Sequence, residues 1–426
     1  MTIVAKDNSK SSKPISIGIK IQKWIVRILR HFHIIQFINF RHYSNYRKAC
    51  HEKIPYLTAI EETKKRILFI APYMSMGGAE KVILDLAKSL DREKYVVDII
   101  SITNNQDGLN LWNDLYAEAA DHLWHLPDII HRAFRSAFIY HIARIRKYDV
   151  VLMSHASVYI ETLAPVLKIL PISKKYCIIH DVYPDWSFEA TRYDFFWNKY
   201  ICVCSCAAQL LTDLKGIPAG KIEVIPNGVD THQFNPACFS TSFFREKLKI
   251  RSDEKLVAFV GRMSSEKHPE YLIQVAKLNR DLPYVRFVMA GDGPMLVQLR
   301  RKVKEEGLEE TIFLLGAIEN IPQLMSEIDL LYLCSEMEGF GLCIFESLAM
   351  GKPAVVPRVG GIPEFFDDGV NGIMLNFDED FIENSKKAIL HILLEQPTDK
   401  YTVVNRKKAE QLSLKNQVRR YEALFE

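Results

Sequence analysis

Between residues 329 and 375 the chain alternates short apolar runs with glycine-bearing turns, an order that few folds accommodate. Residues 329–334 are predicted as a buried strand that ends in a polar loop. Gly339 and Gly341 flank Phe340 and lead into a predicted helix over 342–350. Gly351, Lys352 and Pro353 stop that helix, and residues 354–356 are apolar again. Gly360 and Gly361 then open a second turn before Pro363 and Glu364. Strand, glycine loop, helix, strand is half of an open α/β sheet, and such sheets bind ligands outside the carboxyl ends of their strands. A glycine turn that feeds a helix N-terminus offers free N–H groups and the positive end of a dipole, which suits a phosphate.

Two carboxylates frame that turn, Glu338 in the loop and Glu346 one turn into the helix. A carboxylate only accepts, and it can take two hydroxyl protons at once, which fits neighbouring hydroxyls on a ribose or a hexose. The spacing alone decides little, because glutamates eight apart are common in helices. Together with EGFG, GKP, GG-x-PE and DG-x-NG in one register, it resembles the E-x7-E pattern of retaining glycosyltransferases, and the surrounding text is similar to glycosyltransferase family 4. The resemblance implies that Glu346 holds the ribose of a nucleotide sugar and that Glu338 contacts donor-sugar hydroxyls.

The same resemblance extends to either side. Residues 255–260 are a predicted strand that runs into Gly261 and Arg262, then Glu266, Lys267, His268 and a helix to about 279. In the family this arginine and lysine grip the diphosphate. Arg offers a planar fork to phosphate oxygens and Lys a point charge, so preorganised cations can neutralise a nucleoside diphosphate leaving group where other enzymes use a divalent metal. His268 stands where the family often has glycine. Strands predicted at 285–290 and 312–315 end in Gly291 and Gly316, at the same edge. In the first half, the strand at 67–73 is followed by Gly77, Gly78 and a helix over 81–90, and the family's glycine loop here faces the donor diphosphate and the acceptor. Strands are predicted at 96–102, 150–153, 176–179, 201–205 and 221–225. The strand at 176–179 ends in His180, where the family often carries a histidine near the donor sugar; Tyr183, Asp185 and Trp186 follow on a loop. The PNGVD run at 226–230 recurs in the family at the end of its first domain, and its Asn-Gly pair suits a turn. Helices are predicted at 321–327, 380–394 and 407–425, and residues 104–146 are expected to be helical and to form an acceptor-side surface.

A length of 426 residues suits two domains with a remainder. Hydrophobic content of 48% and charged content of 25% are those of a soluble globular protein, and a net charge of +3 leaves no footprint for a nucleic-acid partner. The eight cysteines form no CxxC pair; Cys202, Cys204 and Cys206 alternate at strand spacing and are read as buried residues rather than metal ligands. No cleavable signal peptide is evident, so a reducing cytosolic compartment is expected. In residues 15–47 basic residues (Lys20, Lys23, Arg27, Arg30) and apolar ones (Ile17, Ile21, Trp24, Ile28, Phe32) recur at helical steps, with no acid between Asp7 and Glu52. This basic amphipathic arm suits the face of an anionic membrane or another protein, and it is too interrupted by charge to span a bilayer.

The expectation is therefore α/β: two doubly wound, Rossmann-like domains facing across a cleft, the GT-B architecture, after a basic helical extension. Its parts are 1–65 (extension), 66–235 (acceptor side), 236–400 (nucleotide-sugar donor side) and 401–426 (a last helix crossing back to the first domain). The function implied is retaining transfer of a sugar from a UDP- or GDP-sugar to an acceptor hydroxyl, in cell-envelope polysaccharide or glycolipid assembly, with a lipid-linked acceptor in view. Catalysis would fall to His180, Arg262, Lys267 and Glu338. Donor binding would fall to Gly77, Gly78, Gly261, Gly291, Gly339, Phe340, Gly341 and Glu346, with no cofactor and no metal. The protein is expected in the cytoplasm, at the inner face of the membrane where the arm docks. The other classes considered are a nucleotide-sugar epimerase, a phosphorylase, for which no pyridoxal-binding motif is seen, and a non-catalytic scaffold. The sequence leaves the sugar, the base, the acceptor and the oligomeric state open.

Overall fold

The computed structural model describes residues 40–426 apart from 76, 105–111, 155–158, 184–188, 241, 279–283 and 396–398. Most of the basic arm, and the loop residues Asp185 and Trp186, lie outside the described residues.

Thirteen described strands form two sheets, both parallel throughout. The first contains β1 (Lys65–Ala71), β2 (Tyr95–Ser101), β3 (His122–His125), β4 (Val150–Ser154), β5 (Lys174–Ile179), β6 (Lys199–Cys202) and β7 (Ile222–Val224). Their order is β3-β2-β1-β4-β5-β6-β7. The second contains β8 (Lys255–Val260), β9 (Val285–Ala290), β10 (Ile312–Gly316), β11 (Leu330–Tyr332), β12 (Ala354–Pro357) and β13 (Gly372–Leu375). Their order is β10-β9-β8-β11-β12-β13. In each sheet the chain winds outward in one direction and then restarts on the other side of the first strand. The switch points lie between β1 and β4 and between β8 and β11.

The central strands are apolar on both faces because helices cover both. Ile67, Leu68 and Phe69 of β1 and Leu256, Val257, Ala258 and Phe259 of β8 are fully buried. That pattern reads from sequence as a continuous hydrophobic run. Short or edge elements read less well. β3 (HLWH) was expected to be helical; it pairs with β2 and buries Trp124, whose Nε1 donates to the Lys53 carbonyl at 2.7 Å.

Three other boundaries move. The strand expected over 201–205 stops at Cys202, and Ser205 opens the helix Ser205–Lys215, so Cys206 is helical rather than alternating in a strand. The helix expected over 407–425 is two helices, Asp399–Gln411 and Leu414–Phe425, broken at Leu412–Ser413. Finally, the first domain's core reaches back before Arg66. The helix Phe40–Glu52 buries Tyr46 and Ala49, and the Tyr46 ring stacks on Phe134 at 5.0 Å.

The break at 412–413 is the second crossing between the domains, and it lies against the first. Val229 of the PNGVD run donates to the Leu412 carbonyl (2.9 Å), and Leu414 donates back to Val229 (2.8 Å). The Gly228 N–H donates to Gln417 Oε1 at 3.0 Å. The final helix then packs on the first domain, where Lys65 and Lys174 each donate to the Phe425 carbonyl at 3.0 and 2.9 Å. These cations satisfy carbonyls that a helix end leaves open. A Cβ at Gly228 would sit 2.5 Å from Leu414 Cα. Gly228→Ala must therefore push two chain crossings apart, an overpacking cost of about 2 kcal/mol. A lower urea midpoint with unchanged slope is the expected result.

Candidate functional site

On the second sheet the site is built at the switch point. Gly261 follows β8 and donates to the Ala290 carbonyl at 3.0 Å. Gly291, at φ +139°, follows β9, and a Cβ there would lie 1.9 Å from the Gly261 carbonyl oxygen. Only glycine lets these two loops touch backbone to backbone. The chain then turns through Ser265–Lys267 into His268, which adopts a left-handed φ of +45°. That is the geometric reason glycine suits this position. His268 stays in place by stacking on Tyr271, with ring centroids 4.8 Å apart.

This turn aims Lys267 at the loop after β11. Its Nζ donates to Glu338 Oε1 at 2.6 Å, and Ser335 Oγ donates to the same oxygen at 2.9 Å. Burial pulls the Lys267 ammonium down, but Glu338 more than offsets it, so Lys267 stays charged above the ordinary lysine range. Glu338 is thus placed as an acceptor beside a fixed cation at the carboxyl ends of adjacent strands.

Glu346 lies on the helix Leu342–Ala349 that leaves the EGFG loop, and it is 6% exposed. Burial raises its carboxyl to about 7; Lys81 works against the shift and Asp85 adds to it. Lys81 comes from the other domain, on the helix Gly78–Ser89, with its Nζ 4.0 Å from Glu346 Oε1 and in direct contact with Asp85. Lys81 also lies 5.9 Å from the Phe234 ring centroid in the interdomain connection. Burial lowers its pKa, but Asp85 and Glu346 more than restore it.

The first domain closes the other side. Its glycine loop starts the helix Gly78–Ser89 after β1, and a Cβ at Gly77 would lie 3.3 Å from Arg262 Nη2 of the second domain. A Cβ at Gly78 would lie 3.8 Å from Leu342 Cδ1. His180 follows β5, and its Nε2 is 2.8 Å from Ser154 Oγ at the end of β4. The His180 carbonyl oxygen would be 2.1 Å from a Cβ at Gly339. The two switch points therefore face each other, with backbone against backbone. Tyr183 lies in the same gap. Burial, then the facing carboxylates Glu266 and Glu336, raise its phenol, while Lys267 works the other way.

The structure thus gathers His180, Arg262, Lys267, Glu338, Glu346 and the glycines 77, 78, 261, 291, 339 and 341 around one interdomain gap. Phe340 is the exception. Its ring is 2% exposed and packs between Phe345 (4.5 Å) and Phe365 (5.1 Å), so it holds the loop's shape and offers no ring to a ligand. Three residues that the motifs did not single out also belong here: Lys81, Asp85 and Ser154. A basic residue directly after the GGAE run was the available sign of Lys81. Ser154 carried no such sign, because its role depends on the pairing of β4 with β5. Among the described residues, no group of three His, Cys, Asp or Glu side chains is arranged to hold a metal.

Two family models match the chain in tandem: Glycosyltransferase Family 4 over residues 76–233 and Glycosyl transferases group 1 over residues 240–411. An uncharacterized glycosyltransferase of Methanocaldococcus jannaschii is 32% identical over 179 residues, 41% of this chain and 46% of that protein. The UDP-Gal:alpha-D-GlcNAc-diphosphoundecaprenol alpha-1,3-galactosyltransferase of Escherichia coli is 26% identical over 57% of this chain and 66% of its own length. The chain therefore spans less than two thirds of either curated relative. Among solved structures, Anabaena HepE in complex with UDP and glucose superposes with a TM-score of 0.71 at 21% identity, over 84% of this chain and 99% of that one. WaaG, a glycosyltransferase involved in lipopolysaccharide biosynthesis, gives 0.64 at 14% identity over 84% and 99%. These likenesses show a shared two-domain GT-B fold.

The raised carboxyl of Glu346 has a stability consequence with a definite sign. The folded state holds a proton that the unfolded chain releases near 4.5, so stability is lost as pH rises from about 4.5 to about 7 and stays lost above that. The shift corresponds to about 3 kcal/mol at most. Glu346→Gln is expected to melt higher than the parent at pH 8, with the gap closing toward pH 4.5. Thermal unfolding at the two pH values checks this.

Proposed function

Because the chain belongs to glycosyltransferase family 4, we propose that it transfers a hexose from a UDP- or GDP-sugar to an acceptor hydroxyl with retention of anomeric configuration. The observation that supports this most directly is the Lys267–Glu338 pair at the second sheet's switch point, set opposite His180 and the Gly77–Gly78 loop. A diphosphate between them would meet Lys267 and Arg262 as cations and the glycine loops as N–H donors. Its oxygens would compete with Glu338 for Lys267, which frees Glu338 to accept sugar hydroxyls. Glu346 would accept from the ribose hydroxyls, with Lys81 as its counter-charge. HepE, which binds UDP and glucose on the same fold, is consistent with a nucleotide-sugar donor.

In this proposal the glycosidic C–O bond to the diphosphate breaks on the face where the acceptor attacks. The leaving phosphate oxygen takes the acceptor's hydroxyl proton, and Arg262 and Lys267 carry the negative charge that develops. No nucleophile-and-acid carboxylate pair of the glycosidase kind is required. His180, held by Ser154, would orient the sugar. Gly261, Gly291, Gly339 and Gly341 let backbone approach the nucleotide. Two fixed cations would replace a metal.

The acceptor proposed is lipid-linked, in envelope polysaccharide or glycolipid assembly, with the basic arm resting on an anionic inner leaflet. The lipid diphosphate named for the Escherichia coli relative is compatible with this. Among the described residues no helix is long and apolar enough to cross a membrane.

Released UDP or GDP, measured over a panel of donors with membrane lipid extract and EDTA, tests the proposal. Turnover of one donor that persists in EDTA and rises with extract is expected. Release of a free epimerised nucleotide sugar without any acceptor would instead indicate an epimerase. Lys267→Ala and Glu346→Ala should each lower kcat/KM by about 100-fold or more while the fold is retained. For the parent, kcat/KM should fall as pH drops below about 7, because protonated Glu346 loses acceptor capacity.

A further inference from the structure

Glu364 stands in the GG-x-PE run of the second domain, yet its carboxylate is spent on the first. Ser205 N–H donates to Glu364 Oε2 at 2.6 Å, and Ser205 Oγ donates to Glu364 Oε1 at 2.8 Å. Ser205 is the first residue of the helix Ser205–Lys215, whose N-cap position, Cys204, makes no side-chain capping bond. A helix start leaves N–H groups open and carries partial positive charge, and it is usually capped from its own chain neighbourhood. Here the cap comes from the opposite side of the cleft.

The segment that carries Glu364 also touches the donor loop. Gly361 N–H donates to the Glu338 carbonyl at 2.9 Å. A Cβ at Gly361 would lie 2.0 Å from the Gly339 carbonyl oxygen and 2.7 Å from Cys204 Cβ, and one at Gly360 would lie 1.9 Å from the Glu338 carbonyl oxygen. Residues 360–364 are thus wedged between the loop of Glu338 and Gly339 on one side and Cys204–Ser205 of the first domain on the other. The bond itself lies at the surface, since both Glu364 and Ser205 are exposed. An exposed charge-to-helix contact is modest in strength and reversible.

We propose that Glu364 is a positioning residue that latches the cleft shut by capping the first domain's helix Ser205–Lys215, and that it ties closure to the shape of the donor loop. The proposal rests on the transferase reading above, in which closure keeps water from the donor. With the latch made, Glu338 and Gly339 are pressed against His180; with it broken, the wedge is held from one side only.

Two variants test it from opposite sides. Glu364→Ala removes the acceptor. Ser205→Pro removes both donors while suiting the first turn of a helix, and Cys204 is already extended (φ −153°, ψ 161°), as a residue before proline requires. Small-angle scattering of the full chain without nucleotide is expected to show a shift to larger dimensions for each variant, with no further shift in the double variant. With donor and acceptor present, hydrolysis relative to transfer should rise roughly threefold or more, and donor KM should rise more than kcat falls. Unchanged dimensions in the folded variants, or opening by Glu364→Ala but not by Ser205→Pro, would overturn the latch. If Glu364→Ala fails to fold, Ser205→Pro decides alone. Opening in both variants, with no donor turned over even by the parent, would keep the latch and sink the transferase reading instead.

Discussion

Everything around the gap depends on one contact, the approach of the Gly339 backbone to the carbonyl of His180. There is no room for a side chain there, since a Cβ on Gly339 would lie 2.1 Å from that oxygen. Gly360 and Gly361 stack behind it at similar range. Glycine therefore fixes how near the two sheets' switch points can come. That distance in turn sets whether Arg262 reaches the Gly77 loop and whether Lys81 reaches Glu346. A single methyl group in this layer would part groups that come from different domains.

Closing two charged loops on each other has an electrostatic cost, and the chain offsets it pairwise. Lys267 is paired with Glu338, and Lys81 is shared between Asp85 and Glu346. The second arrangement is the less balanced one, with two carboxylates around one ammonium, and Glu346 is pushed up to about 7 as a result of its burial. Elsewhere the first domain carries a buried network of a different character. Arg146 is fully buried and bonded to Asp98 at 2.9 Å and to Glu61, with Tyr148 Oη donating to Asp98 at 2.6 Å. Those groups lie toward the amino ends of β1, β3 and β4, away from the carboxyl ends that carry the site, and tie helix, sheet and the segment before β1 together. The contrast separates charge that holds the fold from charge that, in the proposed function, would meet an anion. In the site the cations stay charged beside carboxylates that, in the proposed function, diphosphate oxygens would displace.

The interdomain connection adds a mechanical constraint. The chain leaves the first domain through the PNGVD run and returns at Leu412–Leu414, and the two crossings hydrogen-bond to each other. Two chain crossings bonded to each other fix the place where the domains join. The Glu364 cap engages a helix start instead of a crossing. The crossings and the proposed latch therefore join the two domains at different residues.

Much of this was legible in the sequence, because the central strands are buried on both faces and read as unbroken apolar runs. β8 and β9 were placed to the residue, and the glycines, Lys267, Glu338 and Glu346 marked the carboxyl edge of the second sheet, the edge at which open α/β sheets bind ligands. What remained hidden were elements whose stability comes from a distant partner. β3 is a four-residue edge strand held by β2, and the helix at Ser205 begins where it does with a cap from residue 364. The last helices break because Val229 pairs into the gap between them. Phe340 looked like a ligand contact because it sits between glycines, and only the packing of Phe345 and Phe365 turned it inward. The sequence by itself determined the two doubly wound domains and the order of the loops at their edges, since periodicity and glycine placement are local properties. Only the tertiary structure decided which side chains meet across the cleft, because Lys81 with Glu346 and Ser205 with Glu364 are joined by domain closure and by nothing in their spacing along the chain.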